Sequence, residues 1–208
     1  MDGVLIDSNP VHREAWEVYN RRHGVETTAA MHRLMYGKRN DQLIRSYLGE
    51  HLSDDEVFGH GAAKEALFRQ LIRPRIDAML VPGIREFLNG LTGFRLAVAT
   101  NAERANLDFI LNEARLRPFF PVAIDGDQVT RPKPDPEIYL EAARRLGVEP
   151  AACVVFEDST AGVQSGLAAR MRVVGLATTH DHLPGVSLMI RNFEDPALGA
   201  WLRRTGEC

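Results

Sequence analysis

The sequence predicts an α/β fold in which a parallel, doubly wound sheet carries an inserted helical segment. From about Thr92 onwards, apolar runs alternate with amphipathic helical stretches, a pattern typical of strands joined by crossover helices. Between residues 12 and 79, apolar residues recur at helical spacing instead, with almost no β-branched runs. With 208 residues, 45% of them hydrophobic, the chain is long enough for one sizeable core and a small second domain.

The predicted strands are apolar without polar alternation, which suits strands that are buried on both faces of a sheet. Their sequences are FRLAVAT, VAIDG, CVVFED, RVVGLAT and LMIRNF, and the helices between them include ERANLDFILNEARL and PEIYLEAARRLG. We therefore assign residues 1–11 and 80–208 to the α/β core.

The insertion contains stretches with apolar residues at helical spacing: HREAWEVYNRRHG, DQLIRSYLG and DEVFGHGAAKEALFRQLI. Trp16, Tyr19 and Phe68 lie at such positions and are predicted to form its packed core. The segment VPGI, residues 81–84, supplies Pro and Gly where the chain returns to the sheet. We assign residues 12–79 to a helical insertion.

Composition narrows the classes of partner. A formal net charge of −3 provides no basic surface for a polyanion, so nucleic acid and anionic membrane are poor candidates and a small molecule is the better one. No apolar stretch reaches the ~18 residues of a membrane span, and no signal pattern opens the chain. Cys153 lies in an apolar run and Cys208 at the end, which favours free thiols and a reducing, cytoplasmic location.

Polar side chains cluster where the predicted strands end. In parallel sheets the carboxyl ends of the strands converge on one crevice, which is where functional groups gather. The sequence places there, or in the opening segment, a hydroxyl, an amide, an ammonium and three carboxylates: Thr100, Asn101, Lys133, Asp2, Glu157 and Asp158. Such a set predicts a site for a hard cation and a phosphate.

The chemistry of these side chains suggests which of them would bind the cation and which the phosphate. Asp2 and Asp158 have the oxygens that Mg²⁺ prefers, and Lys133 with Thr100 could hold phosphoryl oxygens. Each element alone has a simpler interpretation. The Glu157–Asp158 pair could be a solvated turn or a helix cap, and Lys133 could be an exposed loop lysine.

Four segments carry a resemblance when taken together: DGVLIDS, AVATNA, RPKPDPEIY and VVFEDSTAGVQSG. In their order and spacing they resemble motifs of the haloacid dehalogenase-like (HAD) hydrolases. The resemblance is nearest to the branch with phosphoglycolate phosphatase-like enzymes and β-phosphoglucomutase. It implies a Rossmann-like core with a helical cap, and Mg²⁺-dependent hydrolysis of a small phosphorylated metabolite. The mechanism implied is an aspartyl-phosphate one, in which one Asp attacks phosphorus and a second acts as general acid and then base.

The resemblance also implies roles. Asp2 is the acid/base residue of the family's D-x-D-G motif, and the nucleophilic Asp would lie directly before Met1. Thr100 and Asn101 take the phosphate-binding positions, and Lys133 that of the charge-neutralising lysine. Asp158 matches the carboxylate on Mg²⁺, with Glu157 as an accessory ligand, direct or through water.

In the cap, the resemblance places four residues near the substrate: His12, Lys38, Arg39 and Lys64. A second phosphate site formed by Arg39 and Lys64 would make the protein a sugar phosphomutase, which is the alternative within the family.

Relatives carry a short apolar strand before the nucleophile, in the centre of the sheet. Burying the side chains of this strand contributes on the order of 10 kcal/mol to the free energy of folding, which is comparable with the net stability of a domain. We therefore expect Met1 to be an internal methionine of a D-M-D-G motif, and the 208-residue chain alone to turn over little substrate. The rival hypothesis is a non-catalytic remnant that binds a phosphorylated ligand or a partner. We expect a monomer or a weak dimer.

Two further motifs receive structural interpretations. Arg170 stands where relatives commonly carry Gly, and a positive φ there would cost about 1 kcal/mol. THDH, residues 179–182, leads into the turn LPGV, so we interpret it as a loop rather than a metal site.

Overall fold

The computed structural model describes residues 1–35 and 40–205. Contacts between residues divide the chain into two compact units. The core unit contains Met1–Asp7 and Ile76–Cys208, and the helical unit contains Ser8–Arg75. Among the described residues, no helix is both long and apolar enough to cross a membrane.

The helical unit is built from helices alone within its described residues. They are α1 (Asn9–Arg22), α2 (Ala29–Leu34), α3 (Asn40–Leu48) and α4 (Asp54–Ile72). Helices α1, α3 and α4 pack through apolar faces, and Trp16, Tyr19 and Phe68 are buried, as predicted from their spacing. The Trp16 ring meets that of Tyr47 edge to face, with 5.1 Å between centroids.

The core unit alternates helices and strands along the chain. Its elements are α5 (Ile84–Gly90), β1 (Ala97–Ala99), α6 (Arg104–Glu113), β2 (Val122–Ile124), α7 (Glu137–Leu146), β3 (Val154–Glu157), α8 (Thr160–Ala168), β4 (Arg172–Leu176), β5 (Leu188–Ile190) and α9 (Pro196–Thr205). Every named strand pair is parallel, with β1 beside β2 and with β3, β4 and β5 in order. The prediction of a parallel α/β sheet is confirmed, and Ile124, Ile138, Val155 and Val173 share one hydrophobic cluster.

The strands fall into two sheets with an apolar cavity between them. Within the described residues, β1 pairs only with β2, and β3 pairs with β4, so one edge of each of these strands has no strand partner. Side chains of both strands, including Val98 and Val155, line a cavity of about 410 Å³ together with Met1 and Phe87. We call this space the inter-sheet cavity.

The opening segment, residues 1–7, is a tight turn attached to the chain that returns from the helical unit. The amides of Val4 and Leu5 donate to the Met1 carbonyl oxygen at 3.2 and 2.8 Å. The Asp7 amide donates to the Met79 carbonyl oxygen at 2.8 Å. These bonds fix the backbone on either side of Asp2.

The turn after α8 has the positive φ that the sequence analysis considered for Arg170. Arg170 has a φ of 60° and is exposed. Its amide donates to the Leu167 carbonyl oxygen at 2.9 Å, which ends the helix. A residue with a side chain therefore stands in the left-handed region that favours glycine.

Candidate active site

Lys133 lies in the loop between β2 and α7 and joins three structural elements. Its Nζ donates to the Ala99 carbonyl oxygen at 3.0 Å, to Tyr139 Oη at 2.9 Å and to Glu157 Oε1 at 2.6 Å. These acceptors lie at the end of β1, in α7 and at the end of β3. The Lys133 side chain is only 8% exposed, so it is not a solvated loop lysine.

Glu157 has hydrogen bonds on both carboxylate oxygens. Besides Lys133, Oε1 accepts from Tyr139 Oη at 2.6 Å. Oε2 accepts from the Asp158 amide at 3.1 Å and from the Ser159 hydroxyl at 3.0 Å. The carboxylate is therefore held by the loop and by the first residues after β3.

Positive charge keeps this buried carboxylate ionised. Burial alone would raise the pKa of Glu157, but the charges of Lys133 and of the Met1 amino group, with hydrogen bonds from Lys133 and Tyr139, lower it to about 2. Burial, followed by the neighbouring Glu157 charge, raises the pKa of Tyr139 well above its ordinary value. Tyr139 consequently stays a neutral hydrogen-bond donor.

Asp158 lies directly against the backbone of Gly3. Gly3 has a φ of 66°, and a side-chain carbon built there would collide with the Asp158 carboxylate, so only glycine fits. Burial and then the negative charge of Glu157 raise the pKa of Asp158 to about 6, while a hydrogen bond from Thr179 acts in the opposite direction. Asp2 also raises it, which places the Asp2 carboxylate in the same charge cluster.

Thr100 and Asn101 follow β1 and adjoin the Lys133 loop. The Thr100 amide continues the pairing with β2 by donating to the Ile124 carbonyl oxygen at 3.0 Å, and its side chain is buried. The Lys133 amide donates to Asn101 Oδ1 at 3.3 Å. The core residues selected from the sequence thus lie around the carboxyl ends of β1 and β3.

Sequence reasoning missed three residues of this neighbourhood. Tyr139 bonds to both Lys133 and Glu157. Thr178 and Thr179 follow β4, where Thr178 Oγ1 donates to the Gly3 carbonyl oxygen at 2.6 Å and Thr179 Oγ1 donates to an Asp158 oxygen. The strand-end rule would have found both threonines, because RVVGLAT was recognised as a strand.

Two of the four predicted cap residues contact each other inside the helical unit. Lys64 Nζ lies 3.2 Å from His12 Nδ1 and 2.5 Å from Glu65 Oε1, and Lys64 is buried. Sequence analysis did not identify Glu65 as the counter-charge of Lys64. Lys38 and Arg39 lie outside the described residues.

Comparison with known proteins decides the family. A family model for haloacid dehalogenase-like hydrolases matches residues 1–170. The chain belongs to this family. The resemblance drawn from the motifs is confirmed, and the protein is a hydrolase by family.

Relatives of this HAD-like hydrolase match most of its length. Protein CbbY of Rhodobacter capsulatus is 33% identical over 96% of this chain and 92% of that protein. The validoxylamine A 7'-phosphate phosphatase of Streptomyces hygroscopicus subsp. limoneus is 36% identical over 87% of this chain and 84% of that protein. The crystal structure of a HAD hydrolase, family IA, variant 3, from Entamoeba histolytica has a TM-score of 0.86 at 27% identity, covering 93% of this chain and 91% of that chain.

The donor set of this HAD-like hydrolase fits Mg²⁺. Within the part of the chain that the structure describes, no three His, Cys, Asp or Glu side chains form a ready-made metal site. Mg²⁺ does not need one, since it is usually bound by one or two carboxylates, waters and a substrate phosphate. Asp158 and Asp2 supply two carboxylates in one charge cluster.

Proposed function

We propose that this HAD-like hydrolase removes the phosphoryl group from a small phosphorylated metabolite, with sugar phosphates as the substrate class. The observation that carries the proposal is the meeting of Lys133, Glu157 and Asp158 beside the opening segment that bears Asp2. One relative is named as a phosphorylated carbohydrates phosphatase and another as a fructose-1-phosphate phosphatase, which supports the substrate class.

The proposed reaction has two displacements at phosphorus. In the first, a carboxylate oxygen of the nucleophilic Asp forms a bond to phosphorus while the bond to the leaving oxygen breaks, and Asp2 gives its proton to that oxygen. In the second, Asp2 takes a proton from water as the water oxygen attacks phosphorus. Phosphate leaves, and the nucleophilic carboxylate is regenerated.

Other residues would stabilise the charge on the transferring group. In this proposal the Lys133 ammonium faces the phosphoryl oxygens and the nucleophile, and the Thr100 hydroxyl and the Asn101 amide bind the phosphoryl group. Mg²⁺, held by Asp158 and by the Asp2 region, would neutralise phosphoryl charge. Because both Glu157 oxygens already accept hydrogen bonds, its contact with Mg²⁺ would run through water.

The nucleophile is proposed to be an Asp joined to Met1 on its N-terminal side. The burial of Met1 supports this position, because a residue joined to it would lie inside the core unit. The inter-sheet cavity supports a strand before that Asp. It is apolar, Met1 lines it, and strands β1 and β3 both border it.

Two alternatives remain for comparison. A phosphomutase would need a second phosphate site from Arg39 and Lys64, but the buried Lys64 ammonium already pairs with Glu65, which weighs against it. A non-catalytic binding remnant would bind phosphorylated ligands without turnover. His12, Lys38, Arg39 and Lys64 stay proposed substrate contacts, and a cytoplasmic monomer or weak dimer stays the expectation from composition.

The test is a phosphate-release assay with an aryl phosphate and Mg²⁺, followed by a panel of sugar phosphates. It compares the 208-residue chain with a chain extended by an apolar strand and Asp before Met1. We expect release by the extended chain and little by the shorter one. Isomerised sugar without released phosphate would favour the mutase, and binding without turnover in both chains would favour the remnant.

A further inference from the structure

The loop after β4 contacts two parts of the candidate active site through consecutive hydroxyl groups. Thr178 Oγ1 donates to the Gly3 carbonyl oxygen at 2.6 Å. Thr179 Oγ1 donates to Asp158 Oδ2. The loop itself is attached to the sheet, since the Ala177 amide donates to the Ile190 carbonyl oxygen at 2.9 Å.

We propose that Thr179 is a positioning residue that orients the Asp158 carboxylate for Mg²⁺, an inference that rests on the proposed function. Its hydroxyl donates to Asp158 Oδ2 and would hold the carboxylate in one orientation when the cation binds. Hydrogen bonds of this kind to a metal-binding carboxylate fix its orientation, and their loss typically lowers metal affinity 10–100-fold.

The packing around Asp158 explains why an orienting group is needed. On one side the carboxylate touches the backbone of Gly3, where no side chain can be accommodated. The residue that precedes it, Glu157, uses its own oxygens for Lys133, Tyr139 and the turn after β3. Gly3 has no side chain that could orient the Asp158 carboxylate. The Thr179 hydroxyl, in the loop after β4, therefore supplies the hydrogen bond that sets its rotation.

The hydrogen bond of Thr178 holds the neighbouring Thr179 in place beside Asp158. By bonding to the Gly3 carbonyl oxygen, Thr178 ties the β4 loop to the opening segment that bears Asp2. The two hydroxyl groups thus link the β4 loop to Gly3 and to Asp158. Both threonines are half-buried, so their hydroxyl groups are partly shielded from competing water.

The experiment measures Mg²⁺ binding to the full 208-residue chain by isothermal titration calorimetry, without substrate. Thr179→Val keeps the shape and removes the hydroxyl, Thr179→Ala removes both hydroxyl and methyl, and Thr179→Ser keeps the hydroxyl. We expect the Mg²⁺ dissociation constant to rise about tenfold or more in Thr179→Val and Thr179→Ala, and to stay within about threefold in Thr179→Ser. Thr92→Val, at an exposed position before β1, is the matched control and should bind as the unchanged chain does.

Three results would overturn the inference, and they are distinguishable. Equal affinity in all three variants would show that Asp158 needs no help from Thr179. Equal weakening in Thr179→Ser would show that methyl packing matters rather than the hydroxyl. No Mg²⁺ binding by the unchanged chain would overturn the proposed metal site itself, and the role of Thr179 with it. Thermal unfolding of each variant shows whether a loss of affinity comes with a loss of folded protein.

Discussion

At the scale of single residues, Lys64 and Glu65 form an ion pair inside the helical unit, with side chains 2% and 4% exposed. Burial alone would raise the pKa of Glu65, but the charges of Lys64 and His12 and the hydrogen bonds from Lys64 and Asn40 lower it to about 2. A carboxyl group whose folded pKa lies below its unfolded value stabilises the fold above about pH 4.5. That contribution is lost as the pH falls towards 2.

Replacing Glu65 tests this pair. Glu65→Gln leaves the buried Lys64 ammonium without this counter-charge, so we expect the free energy of unfolding at pH 7 to fall by about 3–5 kcal/mol. The difference from the unchanged chain should shrink between about pH 4.5 and 2, because Glu65 itself becomes protonated there. Urea unfolding at several pH values measures it, with exposed Glu86→Gln as control. A difference independent of pH would contradict the assignment.

The backbone conformation of Arg170 was anticipated from the sequence. Its φ of 60° costs a residue with a Cβ about 1 kcal/mol more than glycine. Arg170→Gly should therefore raise the melting temperature by about 2–4 °C. Arg170→Ala is the matched control, since it removes the arginine but keeps the strain. If both variants melt at the same temperature, backbone strain is not the cause.

At the scale of elements, α4 begins with a capping box. The Glu56 amide donates to Ser53 Oγ at 3.3 Å, and the Ser53 amide donates to Glu56 Oε2 at 2.8 Å. Helix α4 carries Lys64, Glu65 and Phe68, so its first turn helps to hold the buried ion pair in place.

Removing this cap should lower the stability of the helical unit. We expect Ser53→Ala to lower the free energy of unfolding by about 1 kcal/mol, because the Glu56 amide at the helix start loses its partner. Ser46→Ala, exposed within α3, is the control and should cause no loss, since alanine is the better helix former there. Urea unfolding followed by circular dichroism compares them, and equal stabilities would refute a capping role for Ser53.

The elements also show what could be predicted from the sequence. Apolar runs without alternation indicated buried parallel strands, and the order of those strands' ends indicated which polar residues would meet. Tyr139 was missed because its role depends on side chains that meet only in space, whereas the strand-end rule could have found Thr178 and Thr179. Glu65 was missed because a charged helical residue is usually solvated, and only packing shows that this one is buried against Lys64.

At the scale of the whole core unit, the inter-sheet cavity is the feature that local patterns could not locate. A strand placed there would pair with β1 on one side and β3 on the other, and would bury about five apolar side chains. The gross gain of about 10 kcal/mol exceeds an ordering cost of about 1.5 kcal/mol per residue, which leaves a net gain of a few kcal/mol.

An N-terminal extension tests the cavity directly. Five Val, Ile or Leu residues followed by Asp before Met1 should raise the melting temperature by about 4–8 °C, which corresponds to about 2 kcal/mol. The control is the same extension with its three central residues replaced by Lys, which cannot enter an apolar cavity. Equal melting temperatures for the two extended chains would show that the cavity does not take a strand.

The most direct test of the proposed phosphoryl-transfer site is the rate of phosphate release by the Asp-extended chain and by its Asp2→Asn variant, with Mg²⁺ and a saturating sugar phosphate. If Asp2 is the acid/base group beside Lys133 and Asp158, the extended chain releases phosphate and Asp2→Asn lowers kcat by about 10²–10⁴-fold. An inactive extended chain, or full activity in Asp2→Asn, would contradict the account.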